Sequence, residues 1–372
     1  MLTFMSVALL IYGSMNLYAF GKMWLAFPHT FGLGMVLILA GIALTISPLL
    51  VWYMERQSWH GATVATAWVS YTWMGFLFLF FCIGVVFDLG HALAALLSFK
   101  WPLGNAMAFR VTGLLAVAAL GYGLIEAQQI QVVKVNISTP KLASGRITIA
   151  QISDLHLGMM KGGKFLGSVM EKLRELKPDI VAATGDIVDG QGDDLDALAP
   201  RFKTYTPPLG AYAVIGNHEH YAGLANSLRF LHSAGFTVLR GESARAGGIL
   251  LAGIDDPGSR DPQQPAILDT RKALASVTRD DFIVLLKHQP VADGDTPFDL
   301  QLSGHVHGGQ IFPFVYLTRL VYGVHTGLTR LADGRLLYVS RGTGTWGPPI
   351  RLFAPPEITL ITITSNRQQT AH

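Results

Sequence analysis

Charge is nearly absent from the first third of this 372-residue chain, and no other feature limits its fold so strongly. Between Met1 and Leu124 the only Asp, Glu, Lys or Arg residues are Lys22, Glu55, Arg56, Asp88, Lys100 and Arg110. Within that desert lie four apolar stretches, residues 4–20, 31–53, 65–87 and 107–124. Each approaches the roughly 20 residues that a helix needs to cross a bilayer. The second and third contain no charge at all, so burial inside a soluble domain is a poor explanation for them. Trp24, Trp52, Tyr53 and Trp101 fall near the stretch ends, where an apolar ring with a polar tip suits the headgroup level. The first stretch has the length of a secretory leader's apolar core but lacks its basic start. It is read as a retained helix, which gives four spans and a multi-pass protein of a bacterial cell membrane. Orientation stays open: Lys22, Lys100 and Arg110 on one side balance Arg56, Lys134 and Lys141 on the other. No charge pair is expected at mid-depth, so transport has little support, and the spans are read as an anchor and substrate platform.

From Glu126 onward the charge content is ordinary, although the chain as a whole carries only 14% charged residues against about 25% in a typical soluble protein. The net charge of +3 is small, and no run of Lys and Arg suggests a nucleic-acid track. The single cysteine, Cys82, can form no internal disulfide. Short runs rich in Val, Ile and Leu at residues 129–138, 146–152, 180–183, 211–215, 249–254, 282–287, 300–302, 336–339 and 357–363 read as buried strands. Residues 165–176 and 224–234 have helical spacing, while 190–196 and 258–264 are loops by composition. The expectation is a membrane region over 1–127 and an α/β domain over 128–372, with sheets inside and helices outside.

The strand ends carry the chemistry. In chain order, apolar runs lead into Asp154-Leu155-His156, Gly185-Asp186-Ile187-Val188-Asp189, Gly216-Asn217-His218-Glu219, Lys287-His288-Gln289 and Gly304-His305-Val306-His307-Gly308-Gly309-Gln310. Ligands at neighbouring strand ends of an α/β fold converge on one crevice. Carboxylate, imidazole and carboxamide suit divalent ions such as Mn²⁺, Fe or Zn²⁺. Two such ions, about 3.5–4 Å apart, can turn water into a nucleophile at neutral pH and clamp the oxygens of a displacement at phosphorus. Each block alone has a plainer explanation: Asp154 as a helix cap, Gly185-Asp186 as a turn, Asn217-His218 as a satisfied loop pair. Only their joint order argues for a metal site.

Those five blocks resemble the calcineurin-like metallophosphoesterase superfamily from Asp154 to Gln310. The tail Tyr338-Val339-Ser340-Arg341-Gly342, with Pro349-Ile350-Arg351 and Pro356-Glu357-Ile358, is similar to bacterial membrane-associated members that carry His-Gly-Gly-Gln. Vertebrate transmembrane proteins with a metallophosphoesterase domain share the general plan. The resemblance implies a four-layer α/β/β/α sandwich and two divalent metal ions. It assigns Asp154, His156 and His307 to the first ion, Asn217, His288 and His305 to the second, and Asp186 as the bridge. His218 becomes the acid that protonates the leaving oxygen, with Asp189 orienting it. Arg341 is open between a phosphate contact and a salt bridge. Asp255 and Asp256 match no ligand position and are read as turn formers. His29, His60, His91, His220, His232 and His325 are read as structural or surface residues.

The function implied is hydrolysis of a phosphate ester or pyrophosphate on a phosphorylated small molecule or lipid. Membrane-associated relatives include enzymes that cleave the pyrophosphate of UDP-2,3-diacylglucosamine. Within the enzyme class the rival is a broad phosphodiesterase or nuclease. From another class comes a membrane sensor or scaffold whose domain binds metal without turnover, which a missing ligand would have favoured. No protein partner is implied.

Overall fold

The computed structural model describes residues 2–57, 59–190, 195–256, 270–275, 277–278, 280–292, 294 and 296–366. It divides into two compact units, Met1–Glu126 with Gly347–Leu352, and Ala127–Trp346 with the chain from Phe353 onward.

The first unit contains helices α1 (Leu2–Ala26), α2 (Phe31–Arg56), α3 (His60–Leu96) and α4 (Asn105–Glu126). Each of α2, α3 and α4 is long and apolar enough to span a membrane. The expectation of four spans is thereby reduced to three supported ones. Asn16 and Lys22 dilute the apolar character of α1, and both turn toward α3. Asn16 Oδ1 accepts the indole N–H of Trp73 at 2.9 Å. Lys22 forms an ion pair with Asp88, whose other carboxylate oxygen accepts the Tyr18 hydroxyl at 2.7 Å. The helices therefore hold a charge pair between them, with Lys22 near the end of α1 and beyond the expected span at residues 4–20. With its charge paired, Asp88 lies inside α3, which continues to Leu96, well beyond the expected end at residue 87. Leu17, Phe31, Val36, Ile38 and Leu114 stand more than half exposed. Small buried groups such as Ala67, Ser70 and Ala116 face inward. A bundle with its bulky apolar side chains outside suits hydrocarbon rather than water.

The second unit holds strands β1 (Gln131–Thr139), β2 (Arg146–Ile152), β3 (Ile180–Thr184), β4 (Ala211–Val214), β5 (Thr237–Val238), β6 (Glu242–Ala246), β7 (Ile249–Ile254), β8 (Phe282–Lys287), β9 (Leu300–Ser303), β10 (Gly327–Arg330), β11 (Leu336–Val339) and β12 (Glu357–Ser365). They build two six-stranded sheets, ordered β1-β12-β2-β3-β4-β5 and β10-β11-β9-β8-β7-β6. Ile149, Ala182, Val214 and Ile361 of the first sheet share one core with Leu251, Val284, Leu302 and Tyr338 of the second. The expected sandwich is present. Alternate residues of the first sheet (Ala150, Ile152, Val181, Ala183) face outward onto helices α5 (Gly163–Leu176), α6 (Leu195–Phe202) and α8 (Leu224–Ala234). On the far face of the second sheet, Leu250, Ala252 and Leu285 pack against α9 (Thr270–Ala273). Short α7 (Asn217–Tyr221) and α10 (Val315–Tyr322) complete the unit. Strands covered on both faces read as largely apolar runs, which is why β2, β7, β8 and β11 coincide with their expected bounds. The loop expected at 258–264, like most of that at 190–196, lies outside the described residues.

Candidate metal centre

Each strand that points at the site stops where a ligand-bearing loop begins. Asp154 follows β2, Asp186 follows β3, Asn217 follows β4, His288 follows β8, and His305 and His307 follow β9. Parallel pairing of β2 with β3 and β4, and of β7 with β8 and β9, brings these ends to one edge. The chain turns sharply at the ligands themselves. Asp154, His156, Asp186, His305 and His307 all have φ between 49° and 72°. That left-handed region costs a side-chain-bearing residue energy, and such residues gather at functional sites. Glycine makes room beside them: a Cβ on Gly304 would stand 2.3 Å from Asp154 Oδ2, and one on Gly216 would stand 2.2 Å from Asp186 Oδ1.

Three groups of facing donor atoms result among the described residues. Asp154, His156 and His307 converge in the first, Asp186, His288 and His305 in the second, and His156, Asp189 and His218 in a third. In the first, the Nε2 atoms of His156 and His307 face each other at 3.0 Å, and His307 Nε2 lies 3.4 Å from Asp154 Oδ1. In the second, His288 Nε2 lies 3.1 Å from both Asp186 Oδ2 and His305 Nδ1. Asp186 Oδ2 also lies 4.0 Å from His156 Nε2, which sets one carboxylate oxygen between these two groups. Second hydrogen bonds fix the rings. His156 Nδ1 is 3.0 Å from Asp189 Oδ1, and His288 Nδ1 donates to the Thr184 carbonyl at 2.8 Å. Both rings are thereby oriented with Nε2 facing inward.

These donors fit a pair of divalent cations. Asp154 Oδ2 and Asn217 Oδ1 are buried with no hydrogen-bond partner, although buried oxygens are almost always satisfied. Ring nitrogens face one another with carboxylates among them, and the oxygen–nitrogen set suits a borderline ion. The titration behaviour follows the same crowding. Burial raises the Asp154 pKa. Burial opposes ionisation of Asp186 too, but the charges of His288 and His218 outweigh it and hold the carboxyl well below its usual range. His305 is pushed down to about 3 by burial and then by charged His288, which keeps its imidazole neutral.

His218, at the start of α7, sits beside the first group. Its backbone N–H donates to Asp186 Oδ1 at 2.9 Å, and its Nδ1 donates to the Asp189 carbonyl at 2.9 Å. Nδ1 is also 3.2 Å from Asp189 Oδ1. Burial works against the imidazolium, but Asp186 and Asp189 outweigh it and push the pKa up to about 9. Asp189 thus reaches both His218 and His156; those two hydrogen bonds overcome burial and hold its carboxylate below the ordinary range. The rings of Tyr221 and Trp346 stand edge-on to His218, at 5.2 and 5.8 Å between centroids.

Several participants escaped the sequence reading. The buried Glu219 carboxylate accepts the backbone N–H groups of Asp186, Ile187, Val188 and Gly216. Its signal was an acid three residues after the glycine that starts α7. Gln310 clasps Trp346 through both its backbone N–H and its carbonyl, each at 2.9 Å. The Tyr322 hydroxyl lies 2.6 Å from His305 Nε2. Asp255 and Asp256 are wholly buried rather than plain turn formers: Asp255 takes two hydrogen bonds from Arg240, and Asp256 takes one from Gln289. Arg341 resolves as the salt bridge, its Nε 2.5 Å from Glu357 Oε2.

The comparisons with known proteins give the family. Residues 147–309 match the family model described as calcineurin-like phosphoesterase. A metallophosphoesterase of Aquifex aeolicus is 41% identical over 254 residues, covering 67% of this chain and 97% of the relative. A transmembrane protein with metallophosphoesterase domain from Danio rerio is 34% identical over 310 residues, covering 77% of this chain and 70% of the relative. Among solved structures, a dimetal phosphatase from Danio rerio aligns with a TM-score of 0.37 at 14% identity, over 53% of this chain and 87% of that one. The chain belongs to the calcineurin-like phosphoesterase family, and is a metal-dependent hydrolase of phosphoesters.

Proposed function

We propose that the chain is a membrane-anchored phosphoesterase that uses two divalent ions to hydrolyse a phosphate ester or pyrophosphate on an amphiphilic, lipid-linked substrate. The observation that carries the dinuclear reading is Asp186 Oδ2, set between His288 Nε2 at 3.1 Å and His156 Nε2 at 4.0 Å. Asp154, His156 and His307 would hold one ion, Asn217, His288 and His305 the other, with Asp186 common to both. The donor set suits Mn²⁺, Fe or Zn²⁺. Ions so held supply Lewis acidity toward phosphoryl oxygens and a nucleophile from water at neutral pH.

The chain's own groups do the rest. His218 donates a hydrogen bond from Nδ1 to the Asp189 carbonyl, so the proton it can release is on Nε2. Against burial, Asp186 and Asp189 push the His218 pKa up to about 9 in the metal-free protein. Asp189, beside the ring at 3.2 Å, favours the protonated form that an acid for the leaving oxygen needs. Asp189 positions both His218 and His156. Trp346 and Tyr221 pack edge-on against the imidazole.

Membrane anchoring is supported by three helices of spanning length and apolarity and by the printed description of the fish relative as a transmembrane protein. An amphiphilic substrate follows from a catalytic unit tied so closely to such helices: four residues, Ala127–Ile130, separate α4 from β1. The test is release of p-nitrophenol from bis-p-nitrophenyl phosphate by purified protein with Mn²⁺. Turnover abolished by chelator and restored by metal is expected. A fully metallated, folded protein without turnover on this or phospholipid and nucleotide-sugar-lipid substrates would favour the sensor reading instead.

A further inference from the structure

Helix α10 follows the metal loop after a short turn, and none of its residues is buried. Leu320 is 82% and Val321 66% exposed, and Phe312, Phe314, Tyr316 and Leu317 stand out beside them. Phe353, itself exposed, packs edge-on to Phe312 with 5.9 Å between centroids and widens the patch. Isolated apolar side chains on a surface are ordinary, but a cluster of this kind marks an interaction site. From Ile311 to Tyr322 there is no acidic residue and one base, Arg319, whose guanidinium lies over the Tyr316 ring. Aromatic and leucine side chains with a lone cation match the boundary between lipid headgroups and acyl chains.

The chain itself says what can cover this patch. Four residues separate α4 from β1, and even fully extended they could reach at most about 14 Å, so the bilayer that holds α4 is the surface most readily within reach. The patch also borders the site, because Tyr322, its last residue, touches His305. We propose that residues 312–321 insert into the headgroup–acyl boundary of the bilayer that holds this chain's own helices. The metal centre then opens at the depth of lipid phosphates. This deepens the proposed function and rests on its membrane-anchored reading.

The experiment uses the full chain with Cys82→Ala, in nanodiscs of phosphatidylcholine and phosphatidylglycerol carrying doxyl-labelled lipid. A polarity-sensitive fluorophore is attached at Leu320→Cys or, as a control, at exposed Ser168→Cys on α5. A blue-shifted emission quenched at least about twofold by shallow doxyl groups is expected at 320 and not at 168. Equal emission and no quenching at both positions overturns the proposal. So does disulfide cross-linking between copies at 320 without lipid quenching, which would assign the face to a second copy. Extraction of the wild-type chain by alkaline carbonate is the separate sign that the membrane-anchored reading has failed. A second variant, Leu317→Ser with Leu320→Ser, should lose roughly tenfold in turnover of hexadecyl p-nitrophenyl phosphate embedded in vesicles. Its turnover of dissolved bis-p-nitrophenyl phosphate should stay within about twofold of wild type. Equal loss on both substrates, or no loss on either, contradicts the proposal.

Discussion

Replacing Glu219 with Gln tests how the metal loops are held. Glu219 Oε1 accepts from Ile187 at 2.7 Å and Val188 at 3.2 Å; Oε2 accepts from Gly216 at 2.7 Å and Asp186 at 3.0 Å. Burial, and after it the charge of Asp186, raises the Glu219 pKa. All four partners are N–H donors, however, and only the ionised carboxylate can accept at both oxygens. A Gln in either flip must turn its NH₂ toward two of them. Leaving two buried donors unmet costs about 1–3 kcal/mol each, hence about 2–6 kcal/mol in all. For a catalytic unit of this size that corresponds to a fall in Tm of roughly 5–20 °C, read by scanning calorimetry on purified protein in detergent. Because the same bonds fix Asp186, metal affinity should fall with it. A Tm within about 2 °C of wild type and unchanged metal affinity would show that Glu219 is a neutral acid, and the anion-centred account of the loop would be wrong.

Two further outcomes bear on His218. His218→Ala should lower kcat by about 10²–10⁴ while two ions per chain remain bound, since a general acid supplies that much; unchanged turnover removes His218 from the mechanism. In metal-free protein the His218 pKa is pushed up to about 9, above the value of about 6.5 expected for the unfolded chain. Its charge therefore stabilises the fold fully below pH 6.5, and that contribution, on the order of 3 kcal/mol, is lost as pH rises through 9. His288, raised well above the ordinary imidazole value by Asp186 against the effect of burial, acts in the same direction. Tm of chelated protein should fall from pH 6.5 to 9.5, and a flat or rising profile contradicts this.

How much of this could be read from the sequence depended on where each partner lies along the chain. Asp154 and His156, or His305 and His307, are two residues apart at the end of an apolar run, so both the strand and its ligands show locally. Strands β2, β7, β8 and β11 showed too, because burial leaves them rich in Val, Ile, Leu and Ala. Strand β6, by contrast, alternates Glu242, Ser243, Ala244, Arg245 and Ala246 at a sheet edge, and Arg245 pairs with Asp281; its polarity hid it. Asp255 and Asp256 looked like turn formers because their partners, Arg240 and Gln289, are 15 and 33 residues away. Arg341 stayed open for the same reason until Glu357 appeared beside it. In the helical unit, Lys22 and Asp88 read as separate interruptions of apolar stretches. The structure pairs them, and α3 runs on past residue 87 to Leu96. The exposure of α10 was invisible as well, since an apolar octapeptide reads as core until its neighbours are known.

Metal analysis of purified Asp186→Ala beside the wild type reaches the centre of the account, because Asp186 sets a carboxylate oxygen between His288 and His156 of the two donor groups. Two ions per wild-type chain are expected, with clear loss from the mutant and with it the loss of p-nitrophenol release. A mutant that still binds two ions as tightly as wild type would contradict a shared carboxylate, and with it the dinuclear centre proposed here.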